Sequence, residues 1–237
     1  MKLKIQSFMY KKYLRTKNIF LVILVISLFA VFFKFLSLLS FPDSSIVLEK
    51  GDPAVKLPAK NSLTQKFTAQ RDNLVKVEFL LRTPGIEFEN NDKVEMRLAD
   101  ENCQNPIREG YLQTSFLNSK NLYEFGFPKV KNSKNQTYCL IATFKPSKGK
   151  AKAIQFFVFE KSPGTFLPEN PATQEKYPNS LSIRPAYAND NLWQNLEELN
   201  QRISQYKPWF LKHYYLWIIT IAFVVFSITG VAILITL

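Results

Sequence analysis

The stretch Leu74–Leu81, LVKVEFLL, decides the fold prediction because apolar and polar residues alternate along it. Successive side chains of a strand point to opposite faces, so this pattern indicates one face in a core and one toward solvent. The set predicted to face the core is Val75, Val77, Phe79 and Leu81, and the set between is Lys76, Glu78 and Leu80. We therefore predict a half-buried strand within a mainly β domain.

The same alternation recurs along the middle of the chain. It is present in KVEMRLA (93–99), LYEFGF (122–127) and QTYCLIATF (136–144), whereas AIQFFVFE (153–160) is apolar enough for a strand buried on both faces. Turn-forming segments separate these runs: RTPG, ENND, ENCQNP, PKVKNSKNQ and KPSKGK. Seven to nine strands of this kind predict a β-sandwich or jelly roll over 41–188, with the proline-rich stretch 160–180 as a loop across it.

Two long apolar runs bracket this domain. Ile19–Leu39 contains one charge, Lys34, and Leu216–Leu237 contains none. A helix rises about 1.5 Å per residue, so each run matches the roughly 30 Å hydrocarbon core of a bilayer. We predict transmembrane helices over 19–40 and 216–237. A cleaved signal peptide is the alternative for the first run, but its apolar segment is longer than usual and lacks a small-residue cleavage site. Whether the chain continues beyond Leu237 stays open.

Basic residues predict the orientation of the two spans. The tail 1–18 contains six of them and no acidic residue: Lys2, Lys4, Lys11, Lys12, Arg15 and Lys17. Basic segments stay in the cytoplasm, so we expect both termini there and the middle domain on the other side of the membrane. Lys207 and Lys212, before the second run, are a weaker signal against this orientation.

The net charge of +12 does not indicate a nucleic-acid-binding protein. Six of the 31 basic residues lie in the tail and Lys34 lies in the first apolar run, which leaves 24 beside all 19 acidic residues. Such a small, scattered excess is typical of a solvated surface. Weak attraction to anionic glycopolymers or lipid headgroups remains open.

The sequence offers little for catalysis. Its single histidine, His213, lies at the predicted membrane boundary, and no zinc, EF-hand, P-loop or dinucleotide-binding motif is present. Acidic turns contain Glu87, Glu89, Asp92, Asp100 and Glu101. We interpret them as solvated loops, with a structural Ca²⁺ site and a glycan hydrolase as the alternatives. We therefore expect no enzymatic activity and no cofactor.

Four aromatic residues are candidates for a surface that binds a glycan or a partner protein. They lie at predicted loops or element edges: Tyr111, Tyr177, Tyr187 and Trp193. Such side chains can stack on sugar rings, and the alternative for each is ordinary core packing. The partner would be an envelope glycan or another membrane protein, for example a glycosyltransferase. Lys34 either contacts such a membrane partner or extends its amine to the headgroups.

The two cysteines, Cys103 and Cys139, both fall in the domain expected outside the cytoplasm. An oxidising compartment would allow them to form one disulfide, and two separate thiols are the alternative.

The segment 189–207 has the pattern of a short amphipathic helix. Asn191 followed by Gln194 resembles a capping box at its start. Apolar residues then recur at alternating spacings of four and three: Leu192, Leu196, Leu199, Ile203 and Tyr206. This seam would dock on the sandwich, pair two copies of the chain, or lie on the lipid surface.

After Pro208, the segment 208–215 begins an aromatic collar typical of a membrane interface. Together with Trp217, its candidate anchors are Trp209, Phe210, Lys212, Tyr214 and Tyr215.

Several stretches resemble a group of uncharacterised bacterial envelope proteins that have two spans. The most specific is RISQYKPWFLK (202–212), accompanied by QKFTAQRDNLVKVEFLLRT, YEFGFPKVKNSKNQTYCL and SLSIRPAY. The resemblance implies the two-span architecture and a bacterial origin, and it provides no activity to carry over. In layout alone the chain is distantly similar to polysaccharide co-polymerases, which assemble as oligomeric chain-length regulators. Their outer domain is mixed α/β, unlike the β-rich domain predicted here.

Overall fold

The structure is a computed structural model of the chain. It describes residues 19–20, 23–24, 26–48, 51–58, 61–82, 92–113, 122–146, 153–159, 180–205, 207–211 and 214–236. The chain divides into two compact units: one is Ser40–Asn189, and the other combines Met1–Leu39 with Asp190–Leu237. The predicted basic tail, the proline-rich loop 160–180 except for its last residue, and the turn containing Glu87 and Glu89 lie outside the described residues.

The unit Ser40–Asn189 is built from strands. In the part of it that the structure describes, eleven strands occur: β1 (Phe41–Pro42), β2 (Gly51–Pro58), β3 (Ser62–Thr68), β4 (Leu74–Arg82), β5 (Lys93–Ala99), β6 (Pro106–Gln113), β7 (Leu122–Val130), β8 (Thr137–Lys145), β9 (Ala153–Phe159), β10 (Ser180–Leu181) and β11 (Ile183–Tyr187).

These strands form two antiparallel sheets. The first has seven strands in the order β1-β11-β4-β9-β10, with β2 also paired to β9 and β7 also paired to β4. The second has four strands in the order β3-β8-β5-β6. The first and last strands of the unit, β1 and β11, are paired through Phe41 and Tyr187, so the chain enters and leaves the unit at neighbouring strands.

The two sheets enclose one hydrophobic core, which confirms the mainly β fold and makes the unit a β-sandwich. Both sheets contribute alternate residues to this core, for example Phe79 of β4 and Met96 of β5. Gln65 is buried with them. Its amide oxygen accepts a hydrogen bond from Leu181 N at 3.0 Å and its amide nitrogen donates to Lys66 O, so this polar side chain also joins the sheets.

Strand predictions were accurate where alternation is strong. The runs at 74–81, 93–99 and 136–144 correspond closely to β4, β5 and β8. The face assignment of β4 was only partly right. The register shifts between Leu74 and Lys76, so that Leu74 belongs to the core and Val75 is only half-buried. Glu78 and Leu80, on the face predicted to meet solvent, are also buried. β7 continues through Pro128–Val130, which we had predicted as a turn.

A disulfide joins Cys103, in the turn between β5 and β6, to Cys139 of β8. Their Cα atoms are 5.3 Å apart, and Cys139 is fully buried. The bond therefore closes a loop across the four-stranded sheet.

Helices make up the described part of the second unit. α1 comprises the helical residues 19–20, 23–24 and 26–37, α2 spans Leu192–Ser204, and α3 spans Tyr215–Thr236. The Asn191 side chain accepts a hydrogen bond from Trp193 N at 2.9 Å, so the predicted start of α2 is confirmed. Among the described residues, no helix was found that is long and apolar enough to cross a membrane.

The buried face of α2 differs from the predicted apolar seam. Its buried residues are Asn195, Leu196, Asn200 and Ser204, of which only Leu196 belongs to the predicted set. Leu192 and Leu199 are half-buried, Ile203 is exposed, and Tyr206 lies outside the described residues.

Hydrogen bonds explain why α2 buries a polar face. The Asn195 amide donates to Leu36 O of α1 at 2.9 Å, and Asn200 Oδ1 accepts from Leu216 N in the first turn of α3 at 3.0 Å. These bonds satisfy backbone groups that helix ends leave unpaired.

Candidate ligand-binding face of the four-stranded sheet

The outer face of the four-stranded sheet carries the best candidate site in the described sandwich. Val94, Met96 and Leu98 of β5 point into the core, so the residues between them point outward. The register extends this face across all four strands. Its side chains are Ser62, Lys66, Lys93, Glu95, Arg97, Glu109, Tyr111, Ile141, Thr143 and Lys145. Thr64 belongs to the same face but is buried.

Neighbouring residues on this face form polar pairs, some directly opposed and some diagonal. The hydroxyls of Ser62 and Thr143 are 2.7 Å apart, and either can donate. Lys145 Nζ lies 2.7 Å from a Glu95 carboxylate oxygen. These contacts hold hydroxyl, carboxylate and ammonium groups side by side on a surface fixed by the sheet beneath it.

A second ion pair crosses the same face toward the edge strand β6. Arg97 Nε lies 3.2 Å from Glu109 Oε1, and the two residues stand directly opposite each other in the register. Both side chains remain about half exposed, so the pair contributes little to stability and its groups stay accessible to a ligand.

Tyr111 gives this face its exposed aromatic ring. The residue is 61% exposed and stands opposite Glu95. Lys93 Nζ lies 5.5 Å from the centre of the ring, within the range of a cation–π contact. An exposed aromatic ring flanked by donors and acceptors is the arrangement that stacks on a sugar ring and hydrogen-bonds its hydroxyls.

The acidic turn between β5 and β6 serves local structure. Asp100 accepts hydrogen bonds from Gln104 N, Asn105 N and the Asn105 side-chain amide. The hydrogen bond from the Asn105 side chain is the main cause that lowers the pKa of Asp100. Within the described ranges, no group of three or more potential metal ligands is found.

The four aromatic residues predicted to form one surface are not brought together. Tyr111 lies on the candidate face, Trp193 belongs to α2 in the other unit, and Tyr177 lies outside the described residues. Trp193 is exposed and lies 6.0 Å from Trp217 between ring centres.

The prediction for Tyr187 is wrong, because its side chain is fully buried. Its hydroxyl accepts a hydrogen bond from Gln70 N at 2.9 Å, and the Arg71 guanidinium lies 5.8 Å from the ring centre. Burial raises the pKa of Tyr187 to about 12. The Tyr187 side chain therefore links β11 to the β3–β4 turn by a hydrogen bond, and its buried ring cannot stack on a ligand.

Sequence reasoning missed the charged residues of the candidate face. Lys93, Glu95 and Arg97 alternate with the core residues of KVEMRLA, so the strand pattern already placed all three on one face. Their position beside Tyr111 required the register of β5 with β6, which the sequence does not reveal.

Of the predicted membrane anchors, Trp209, Phe210, Tyr214 and Trp217 are exposed. Tyr215 is half-buried, with Lys207 Nζ 4.7 Å from its ring centre, and Lys212 lies outside the described residues.

No protein-family model matches the chain, and no curated protein matches it either.

Proposed function

We propose that this protein is a non-catalytic, membrane-anchored protein of a bacterial envelope, whose sandwich binds a glycan outside the membrane. The observation that carries the binding function is the exposed Tyr111 ring on a polar sheet face with Lys93, Glu95 and Arg97. Aromatic stacking supplies affinity for a pyranose ring, and the surrounding charged and hydroxyl groups supply orientation.

Sequence and surface chemistry support the membrane anchor. α3 has 22 residues and no charged one, and Phe223, Phe226 and Ile228 are exposed on it. Exposed apolar side chains at this density are stable in lipid and costly in water. Both apolar runs include residues that the structure does not describe, so the two-span arrangement rests mainly on their sequence.

The aromatic collar supports a membrane–water interface just before the second apolar run. Trp209 is 82% exposed, and Phe210 and Tyr214 are also exposed. Aromatic residues before an apolar run are typical of the headgroup level. The disulfide supports an oxidising compartment for the sandwich, because disulfides persist mainly outside the cytoplasm.

The proposal that the protein is non-catalytic rests on the contacts of acidic residues that a hydrolase could use as catalytic groups. Asp100 is held by three hydrogen bonds within its own turn, and Glu95 and Glu109 are each paired with a cation. A glycosidase needs one carboxyl group that can donate a proton and a second at a defined separation from it.

Binding of the purified full chain in detergent to a glycan array, followed by titration of the best ligands, tests this function. Tyr111→Ala should weaken binding about tenfold, because an aromatic contact contributes about 1.5 kcal/mol. Tyr214→Ala is the matched control, since Tyr214 is 64% exposed but belongs to the other unit. Equal affinity of both variants, or no glycan binding by the wild type, would contradict the proposal.

The anchor needs a separate measurement. We expect the chain to remain with membranes after alkaline carbonate washing, and external protease to cleave the sandwich in intact spheroplasts. Release by carbonate would refute membrane integration. Protection from protease would refute the external position.

A further inference from the structure

Resting on the proposed function, we infer that the ligand of the four-stranded sheet is an anionic glycan, whose carboxylate or phosphate group is bound by Lys93 and Lys145. The sugar ring adjacent to that group then stacks on Tyr111. The inference depends on an imbalance of charge at one end of this face.

The first observation is the cross-strand pair of two lysines. Lys93 of β5 and Lys145 of β8 stand directly opposite each other, and both side chains are exposed on the same face. Like charges directly opposite each other in an antiparallel pair destabilise the sheet. Such a departure from a stable pairing is expected where a ligand uses the two groups.

The second observation is that only one of these charges has a carboxylate partner. Glu95 pairs with Lys145, with both carboxylate oxygens within 2.8 Å of Nζ. Lys93 forms no ion pair with any described residue, and its ammonium instead lies over the Tyr111 ring. An anion placed between the two lysines would supply the missing negative charge.

The third observation is a contrast along β5. Four residues beyond Lys93, Arg97 stands opposite Glu109 of β6 and the pair is complementary. Positive charge is therefore concentrated at the Lys93 end, where the exposed ring also lies. A neutral glycan would stack on the ring and leave this positive charge without a partner. An anionic glycan would contact both the ring and the charge.

The experiment measures binding of the purified full chain in detergent to three probes at about 0.15 M salt, where long-range attraction is screened. One probe is an oligosaccharide of a single uronic acid. The second is the same oligosaccharide with its carboxyl groups reduced to alcohols. The third is inorganic polyphosphate, which carries charge without a sugar ring. We expect the uronic oligosaccharide to bind at least tenfold more tightly than its reduced form.

Variants separate this site from general attraction to a basic protein. Lys93→Gln and Lys145→Gln should each weaken binding of the uronic oligosaccharide about tenfold or more, the loss of one charge-assisted hydrogen bond. Lys131→Gln is the matched control, because it removes an exposed lysine from the turn after β7. Lys93→Gln should also leave the melting temperature unchanged or raise it, because it relieves the repulsion between the two lysines.

Each outcome is decisive for one of the two proposals. Equal binding of the charged and reduced oligosaccharides would overturn the inference and leave the glycan-binding function standing. The same loss of affinity in Lys131→Gln as in Lys93→Gln would also overturn the inference. If polyphosphate binds as tightly as the uronic oligosaccharide and Tyr111→Ala changes neither affinity, the glycan-binding function itself fails.

Discussion

The buried hydroxyl of Tyr187 allows a test that depends on one oxygen atom. Tyr187→Phe keeps the ring in the core but removes the acceptor of the Gln70 N–H. Leaving one partner of a hydrogen bond unpaired costs about 1–2 kcal/mol when water can partly replace it, as the exposed Gln70 allows. At neutral pH we therefore expect the free energy of unfolding of Tyr187→Phe to be lower than that of the wild type by about 1–2 kcal/mol.

The difference should shrink in alkaline solution and nearly vanish at about pH 11, midway between the two pKa values. Burial raises the pKa of Tyr187 from 10.0 to about 12 in the folded protein. Below pH 10 both states keep the proton, and the wild type retains its full advantage. Between pH 10 and 12 only the unfolded state loses its proton, which removes about 2–3 kcal/mol from the wild type. Phenylalanine cannot ionise, so the variant does not undergo this loss.

Urea unfolding of the full chain in detergent, followed by far-ultraviolet circular dichroism at pH 7 and about pH 11, measures both effects. Other titrating groups are common to the two proteins and cancel in the comparison. Tyr111→Phe is the control, since it alters an exposed hydroxyl and should change stability by less than about 0.5 kcal/mol. A difference between wild type and Tyr187→Phe that does not vary with pH would refute the reasoning.

Three further changes test other parts of the sandwich. Reduction of the disulfide, which spans a sequence separation of 36, should lower the free energy of unfolding by about 3–4 kcal/mol, measured by urea titration with and without reductant. Gly110→Ala should cost about 1–3 kcal/mol in the same titration, because its Cβ would lie 2.9 Å from the ring of buried Phe125; an unchanged midpoint would contradict this close approach. Glu78→Gln should cost about 2 kcal/mol, because the Glu78 carboxylate accepts two hydrogen bonds from Arg184 and is only 9% exposed, whereas Arg184 keeps 25% exposure; a melting temperature equal to that of the wild type would contradict it.

The predictable part of the fold is the part that local alternation determines. The strand at 93–99 could be read residue by residue, because each core side chain is preceded by a charged one. Strands β2 and β3 were not predicted, since GDPAVKLP contains two prolines and SLTQKFT buries polar residues such as Gln65. Their pairing partners stabilise them, and a single sequence does not show those partners.

The candidate site was predicted only in part, for a related reason. Exposure of an aromatic residue depends on which face of a strand it occupies and on what packs against that face. Tyr111 and Tyr187 both lie in strands, yet the register places one opposite Glu95 on the outer face and the other in the core. In α2, hydrogen bonding to Leu36 and Leu216 determines the buried face, and the periodicity of leucines could not indicate those partners.

The position of Tyr187 also bears on how the sandwich would be displayed. Phe41 and Tyr187 pair at the two ends of the unit, and Asp43 N and Ala188 N extend the contact with hydrogen bonds to Pro185 O and Asn73 O. Both connections to the rest of the chain therefore leave from strands that are fixed to the body of the sandwich. These contacts use residues other than those of the four-stranded sheet's outer face. Under the proposed function, attachment and binding would use separate groups of residues, so variants at the two should have independent effects.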